Sequence, residues 1–319
     1  MMEVCFFHKS CIDGTMSAAI LKEHFGGKED IVFIPLNHGT SVKEALEKYL
    51  GQDSSQTSQG SQVYHGSKLE NISKIWFLDI APKWDDLLYL QNLRQEKQGY
   101  TEVVIIDHHK TAANTISKFI GTPIDEDKPA RIEYDFMTFI YDPSESGASL
   151  TYKTLVGDNL PLIVDIVKDK DIWLWRYENT DEINDFLYMY TDNPDAMKEF
   201  LEKDINEIAS KSQILSEYKR FMVSKLKDSW SNSPLYVTIN DTKIPAINTP
   251  VYQSEIGNLL AKEHGIACMF YITADFVKLS FRSIDGSARK IAESLGGGGH
   301  DNAAGAIIDK ETFFKNFLG

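Results

Sequence analysis

Three short apolar runs in the first third of the chain each stop abruptly on residues that bind metal ions. Val4-Cys5-Phe6-Phe7 ends at His8, with Cys11 and Asp13 close behind. Ile75-Trp76-Phe77-Leu78 ends at Asp79, and Val103-Val104-Ile105-Ile106 ends at Asp107-His108-His109. Runs of β-branched, aromatic and large aliphatic residues bounded by polar ones predict strands buried on both faces, as in a parallel sheet. In open α/β sheets, ligands bind beyond the carboxyl ends of the strands, near the point where strand order reverses. The pattern therefore predicts one crevice where imidazoles and carboxylates from three strand ends meet. Two divalent metal ions account for so many ligands with the fewest assumptions.

The intervening segments fit this frame. Good helix formers run from Thr15 to Phe25 and stop at Gly26-Gly27. Ile31–Ile34 reads as a strand, and Ser41 with Glu44 reads as a capping box opening a helix through Leu50. Gly51–Ser67, rich in Ser, Gln and Gly, reads as a flexible insertion. A helix over Lys83–Lys97 continues an alternation that implies a parallel, doubly wound sheet. Further helices open at Ser144–Ser149 and run over Leu162–Lys168. From Pro194 to about Trp230 the chain is charged and helical in period, ending at Ser231-Asn232-Ser233-Pro234. Beyond it, strands at Leu235–Ile239, Ala267–Ile272, Val277–Phe281 and Ala304–Ile308 alternate with helices near Ser254–His264 and Ser287–Leu295. The expected organisation is an α/β metal-binding domain over 1–193, a helical linker over 194–234 and a smaller α/β domain over 235–319.

Composition narrows the function. At 319 residues two domains are the default, and 42% apolar with 25% charged residues is ordinary for a globular protein. No apolar stretch approaches the ~20 residues needed to span a bilayer, and Met1-Met2-Glu3-Val4-Cys5 lacks a basic signal region. Three cysteines, two of them inside apolar runs, argue against a disulfide scaffold and for a cytoplasmic protein. A net charge of −14 disfavours coating of long nucleic acid by phosphate neutralisation. It leaves room for a short phosphorylated substrate held by metals and a few placed arginines.

Taken singly, an Asp or His after a strand is usually a loop residue or a cap, and a glycine run is usually a flexible loop. Together and in order, His8-Lys9-Ser10-Cys11-Ile12-Asp13-Gly14, Asp79, Asp107-His108-His109 and Gly296-Gly297-Gly298-Gly299-His300-Asp301-Asn302-Ala303-Ala304-Gly305 closely resemble the DHH phosphoesterase superfamily. The similarity is to the branch with a DHH-associated C-terminal domain, which includes nano-RNases, phosphoadenosine phosphatases and cyclic-dinucleotide phosphodiesterases. RecJ-type exonucleases and family II pyrophosphatases are more distant.

The resemblance implies that His8 binds one metal, Asp13 and His108 the other, and that Asp79 bridges them. It implies that Asp107 supports His108 while His109 faces the scissile phosphate. The last metal-binding motif is an Asp four residues before an aromatic, which selects Asp169, with Trp173 at that spacing, over Asp171. Arg282, Gly298, Gly299 and His300 would grip the far end of the substrate. The chain departs from the usual Asp-x-Asp of the first motif, with Cys11-Ile12-Asp13 in its place. Mn²⁺ is the family expectation. A thiolate at Cys11 shifts preference toward Zn²⁺, Fe²⁺ or Co²⁺, unless Cys11 is a spectator.

The expected activity is hydrolysis of short single-stranded oligoribonucleotides or small phosphorylated nucleotides, without long duplexes or membranes, as a monomer or an oligomer. A cyclic-dinucleotide phosphodiesterase, a phosphoadenosine phosphate phosphatase and a catalytically weak nucleotide-binding protein are the alternatives. His38 reads as an exposed loop residue, and Lys110 reads equally as a phosphate contact or a solvated lysine. Trp173, Trp175 and Tyr177 read as packing residues, with base stacking the alternative.

Overall fold

The computed structural model describes residues 2–26, 31–37, 39–50, 71–96 and 101–316; the 51–67 stretch and His38 lie outside them. Two compact units divide between Leu215 and Ser216.

In the first unit, β1 (Met2–His8) leads into α1 (Ile12–His24), β2 (Ile31–Leu36), α2 (Val42–Leu50), β3 (Ile72–Leu78), α3 (Trp84–Glu96), β4 (Glu102–Asp107) and α4 (Lys110–Ile120). The chain continues through β5 (Ala130–Tyr134), β6 (Met137–Tyr141), α5 (Gly147–Leu155), α6 (Leu162–Asp171), α7 (Thr180–Tyr188) and α8 (Pro194–Lys198). The sheet order is β2-β1-β3-β4-β6-β5, with only β5 antiparallel to its neighbour. Winding reverses between β1 and β3, so their carboxyl ends, His8 and Asp79, flank the point where such sheets hold ligands.

The apolar runs form strands because both sheet faces are covered. Val4 and Phe6 join the cluster under α2, α3 and α4, while Cys5 and Phe7 join Ala18 and Leu21 of α1 and Leu150 of α5. All four are fully buried, and each large side chain contributes about 1.5–3 kcal/mol by leaving water. A third cluster ties Met16, Ala19 and Ile20 of α1 to Ala148 of α5 and to α6 and α7. That cluster sets where α5 begins, which matters for the site.

The β5–β6 hairpin was not anticipated. Its turn uses Asp135 at φ 42°, and β5, an edge strand largely open to water, shows no run of apolar residues.

A long helix, α9 (Ile205–Asn232), enters the second unit. There β7 (Leu235–Ile239), β8 (Thr242–Asn248), α10 (Gln253–His264), β9 (Ile266–Ile272), β10 (Phe276–Ser283), α11 (Ser287–Ser294), β11 (Gly298–His300), β12 (Ala303–Asp309) and α12 (Lys310–Asn316) follow in turn. The sheet order is β11-β12-β10-β9-β8-β7, antiparallel except at β8–β9. The core is Val237, Ile244, Cys268, Val277, Leu279, Phe281 and Phe313 with their neighbours. Among the described residues no helix is long and apolar enough to cross a membrane.

Candidate metal centre

Close backbone packing brings the strand ends together. A Cβ on Gly14 would lie 2.6 Å from the His8 carbonyl oxygen, so only glycine lets the first turn of α1 rest on His8. Asp79 leaves β3 at φ 57°, a conformation strained for any residue but glycine, held by its N–H donating to Ile106 O at 3.0 Å. Helix α5 starts at Ser146, whose hydroxyl accepts from Ser149 N in a reciprocal capping box. The next two amides, Gly147 N–H and Ala148 N–H, donate to Asp13 Oδ2 at 2.5 Å and Oδ1 at 2.9 Å.

The two oxygens of Asp79 look into different groups of side chains. Oδ2 lies 3.3 Å from His8 Nδ1 and 3.3 Å from Cys11 Sγ. Oδ1 lies 3.2 Å from His108 Nε2, which in turn is 3.4 Å from Asp171 Oδ2 and 3.9 Å from Asp13 Oδ2. The side chains form three overlapping potential ligand groups, His8–Cys11–Asp79, Asp13–His108–Asp171 and Asp79–Asp107–His108–His109, and the two oxygens of Asp79 reach into the first two. Asp79 Oδ1, His108 Nε2 and Asp171 Oδ2 are buried and, despite their proximity, have no hydrogen-bond partner among the described residues.

All but the 3.9 Å from His108 Nε2 to Asp13 Oδ2 match the spacing of ligands around a shared cation. Nitrogen and oxygen ligands about 2.0–2.2 Å from one ion, at tetrahedral to octahedral angles, stand roughly 3.0–3.5 Å apart. The donor set of imidazole, carboxylate and one thiol suits a first-row divalent metal.

Electrostatics without a cation are unfavourable in a telling way. Burial raises the Asp13 pKa well above the carboxylate range, and the charges of Asp79 and Asp171 raise it further. Burial, then Asp79, lifts Asp171 to about 6. Burial alone would raise Asp79 too, but His108 and His8 outweigh it and hold it below its usual value. Burial lowers His108, and the Asp79 carboxylate 3.2 Å away with the charges of Asp13 and Asp171 reverses this, to about 10. Three carboxylates thus crowd the His108 imidazole where cations would neutralise them. The Cys11 thiol is pushed well up, first by burial and then by Asp79 and Asp13.

The structure redistributes two roles expected from the sequence. Asp169 is not at the cluster. Its fully buried carboxylate accepts from Arg176 N at 2.9 Å, Arg176 Nε at 3.0 Å and Thr180 Oγ1 at 2.6 Å, so its oxygens are committed to the chain segment that follows. Asp171, two residues on, faces His108 instead. Asp107 supports His109 rather than His108: its Oδ1 lies 2.7 Å from His109 Nδ1 and accepts from His109 N at 3.0 Å. Burial lowers the His109 pKa, and the Asp107 hydrogen bond more than reverses that. Sequence reasoning passed over Gly147, whose place against Asp79 and Asp13 shows only in three dimensions. Lys110 pairs with Asp127 at 2.5 Å, an exposed contact outside the cluster.

In the second unit, Arg282 of β10 donates from Nη1 to Phe281 O at 2.9 Å and from Nη2 to Ser254 Oγ at 2.8 Å. Arg282 and His300 both pair in register with Ala303 from opposite sides of β12, about 9–10 Å apart across the sheet. The glycine run is an edge strand, not a free loop. A Cβ at Gly297 would meet the Gly305 carbonyl oxygen at 2.1 Å, and Gly299 sits at φ 143° against Ala304. Gly298, Gly299 and His300 remain exposed.

Residues 236–319 match the family model described as the DHHA1 domain. An uncharacterized protein of Acanthamoeba polyphaga mimivirus is 25% identical over 324 residues, spanning 95% of this chain and 67% of its own. Among solved structures, the pGpG-specific phosphodiesterase PggH of Vibrio cholerae is 14% identical over 98% of this chain and 95% of its own, with a TM-score of 0.48. RecJ in complex with Mn²⁺ from Thermus thermophilus is 14% identical over 98% of this chain and 50% of its own, with a TM-score of 0.47. Residues 236–319 of the chain therefore carry a DHHA1 domain, following an N-terminal sheet whose β4 ends on Asp107-His108-His109.

Proposed function

We propose that the chain is a phosphoesterase that uses two divalent metal ions to hydrolyse short oligoribonucleotides or small phosphorylated nucleotides. The observation that carries this reading is Asp79, which directs one oxygen toward His8 and Cys11 and the other toward His108, beside Asp171 and Asp13. When bound, such cations supply Lewis acidity toward phosphoryl oxygens and toward water.

The chain's own residues do the rest. Asp79 holds the two sets in fixed relation. Asp13 is oriented by the first amides of α5, which fix both its oxygens and leave further lone pairs to face the cluster. Asp107 takes up His109 Nδ1, so the protonated ring offers Nε2–H, and the partly exposed side chain can reach a phosphoryl oxygen or the leaving oxygen. In the second unit, Arg282, Gly298, Gly299 and His300 are the residues proposed to bind a substrate phosphate.

Mn²⁺ is the expected metal. Cys11 makes one set a softer site, and Co²⁺ loading reads this directly: a thiolate-to-cobalt absorption band that disappears in Cys11→Ser places the sulfur on the metal.

The functional test is hydrolysis of a 5′-phosphorylated RNA dinucleotide with Mn²⁺, comparing wild type with His108→Ala. Mononucleotide release by wild type alone supports the reading. If wild type leaves the dinucleotide, a cyclic dinucleotide and phosphoadenosine phosphate intact with every metal tried, the hydrolase reading is wrong.

A further inference from the structure

Directly after Asp171 the chain does something costly. Trp173 and Trp175 both adopt left-handed backbone conformations, at φ 60° and φ 54°. For bulky residues these are genuine outliers, and such strain persists only where surrounding contacts impose it. Here they do: Leu174 N donates to Asp169 O at 2.8 Å, Trp173 N to Lys170 O at 3.2 Å, and Arg176 N to both carboxylate oxygens of Asp169 at 2.9 Å. The segment is wrapped around the buried Asp169.

This effort does not bury the indoles. Trp173 is 77% exposed and Trp175 45% exposed, with Leu174 open between them. The two rings touch each other edge to face, centroids 5.4 Å apart. The Trp173 Cα is two residues from that of Asp171, hence within about 7.5 Å of it. Helix-end strain, a buried carboxylate clamp and two solvent-facing indoles all lie within four residues of Asp171, which faces His108.

Building on the phosphoesterase reading, we propose that Trp173 and Trp175 form a stacking platform for a nucleobase of the substrate whose phosphate is held at the metal cluster. Indoles recognise any base by its π-face, so the platform adds affinity with little sequence preference. It makes the substrate a nucleotide rather than a bare phosphate or polyphosphate.

The test compares adenosine 5′-phosphate with ribose 5-phosphate, which differ by the base alone, titrated calorimetrically into the Mn²⁺-loaded full chain. The wild type is expected to bind the nucleotide about tenfold or more tightly than the sugar phosphate. Trp173→Ala/Trp175→Ala removes that preference and leaves sugar-phosphate affinity unchanged, and Trp173→Phe/Trp175→Phe restores much of it. Both positions are exposed, so circular dichroism should show an intact fold; if the alanine pair misfolds, the phenylalanine pair and Trp173→Ala alone carry the comparison. A preference absent from wild type, or kept in the alanine pair, overturns the platform. So does concentration-dependent self-association that the alanine pair abolishes, which makes the indoles a contact between copies. Dinucleotide turnover in the same preparation separates the two ideas. Turnover without base preference refutes the platform alone, and base-dependent binding without turnover refutes hydrolysis alone.

Discussion

Replacing Gly147 with alanine tests the construction of the metal centre at its tightest point. Gly147 is the first residue of α5 and lacks a positive φ, so helix propensity favours alanine by about 0.5–1 kcal/mol. The structure predicts the opposite sign. A Cβ there would lie 2.5 Å from Asp79 Cβ, 2.8 Å from Asp13 Oδ2 and 2.9 Å from Asp79 Cγ. These atoms belong to short side chains fixed at a strand end and a helix start, so relief requires α5 to back away. Overpacking of this kind costs about 1–3 kcal/mol. Set against the propensity gain, the net loss is about 1 kcal/mol, or a drop of roughly 2–4 °C in Tm for a unit of this size. As α5 moves it also loosens the amides that orient Asp13, and Mn²⁺ affinity should fall about 10–100-fold. The assay is thermal unfolding in chelator, which isolates the packing effect, followed by calorimetric Mn²⁺ titration. A higher Tm with unchanged Mn²⁺ affinity would refute the claim that α5 packs directly on the bridging carboxylate.

Four further outcomes follow from the same geometry. Mn²⁺ at 100 times its Kd should stabilise the wild type by about 2.7 kcal/mol and raise Tm by roughly 5–11 °C; Asp79→Ala should lose this shift, as differential scanning fluorimetry would show. Asp171→Asn should weaken Mn²⁺ binding without destabilising the metal-free fold. The folded Asp171 pKa, near 6, lies above its ordinary value, so the metal-free wild type loses stability as pH rises from about 4 to 6; Asp171→Asn should flatten that slope. Asp169→Asn, by contrast, turns an amide toward buried donors and should cost about 3 kcal/mol in denaturant unfolding. Buried Glu145 meets Lys153 Nζ at 2.7 Å, Lys168 Nζ at 2.8 Å and Ser149 Oγ at 2.6 Å, and these overcome burial to lower its pKa. Its contribution is present above the unfolded pKa and lost as pH falls through the lowered folded value. Glu145→Gln should therefore cost about 2–3 kcal/mol at pH 7, after discounting for the partly exposed Lys153, and much less near pH 3.

Much of the site is written locally. A strand that must be buried on both faces needs an unbroken apolar run, and the first polar residues beyond it emerge at the sheet's carboxyl edge. His8, Asp79 and His108 are legible for that reason, as is the alternation of strands and helices that carries them. The departure at Cys11 is equally plain in the sequence, and its Sγ lies 3.3 Å from Asp79.

Other choices depend on phase and distance. Asp169 and Asp171 both sit in the last turn of α6, and at about 100° per residue they point to nearly opposite sides of the helix. Sequence spacing cannot say which side faces the metals; the packing of α6 against α1, α5 and α7 decides it. The same holds for Asp107, whose carboxylate turns back to His109, and for Gly147, 134 residues from the Asp13 it contacts. Trp173 and Trp175 read as packing residues because alternating aromatics usually are; only the fold, by wrapping their backbone around Asp169, leaves both indoles in solvent. Sequence by itself determined which residues end the strands, because that follows from each strand's own burial. Tertiary structure alone decided which neighbouring carboxylate turns inward, because that is a property of how helices pack and not of any one of them.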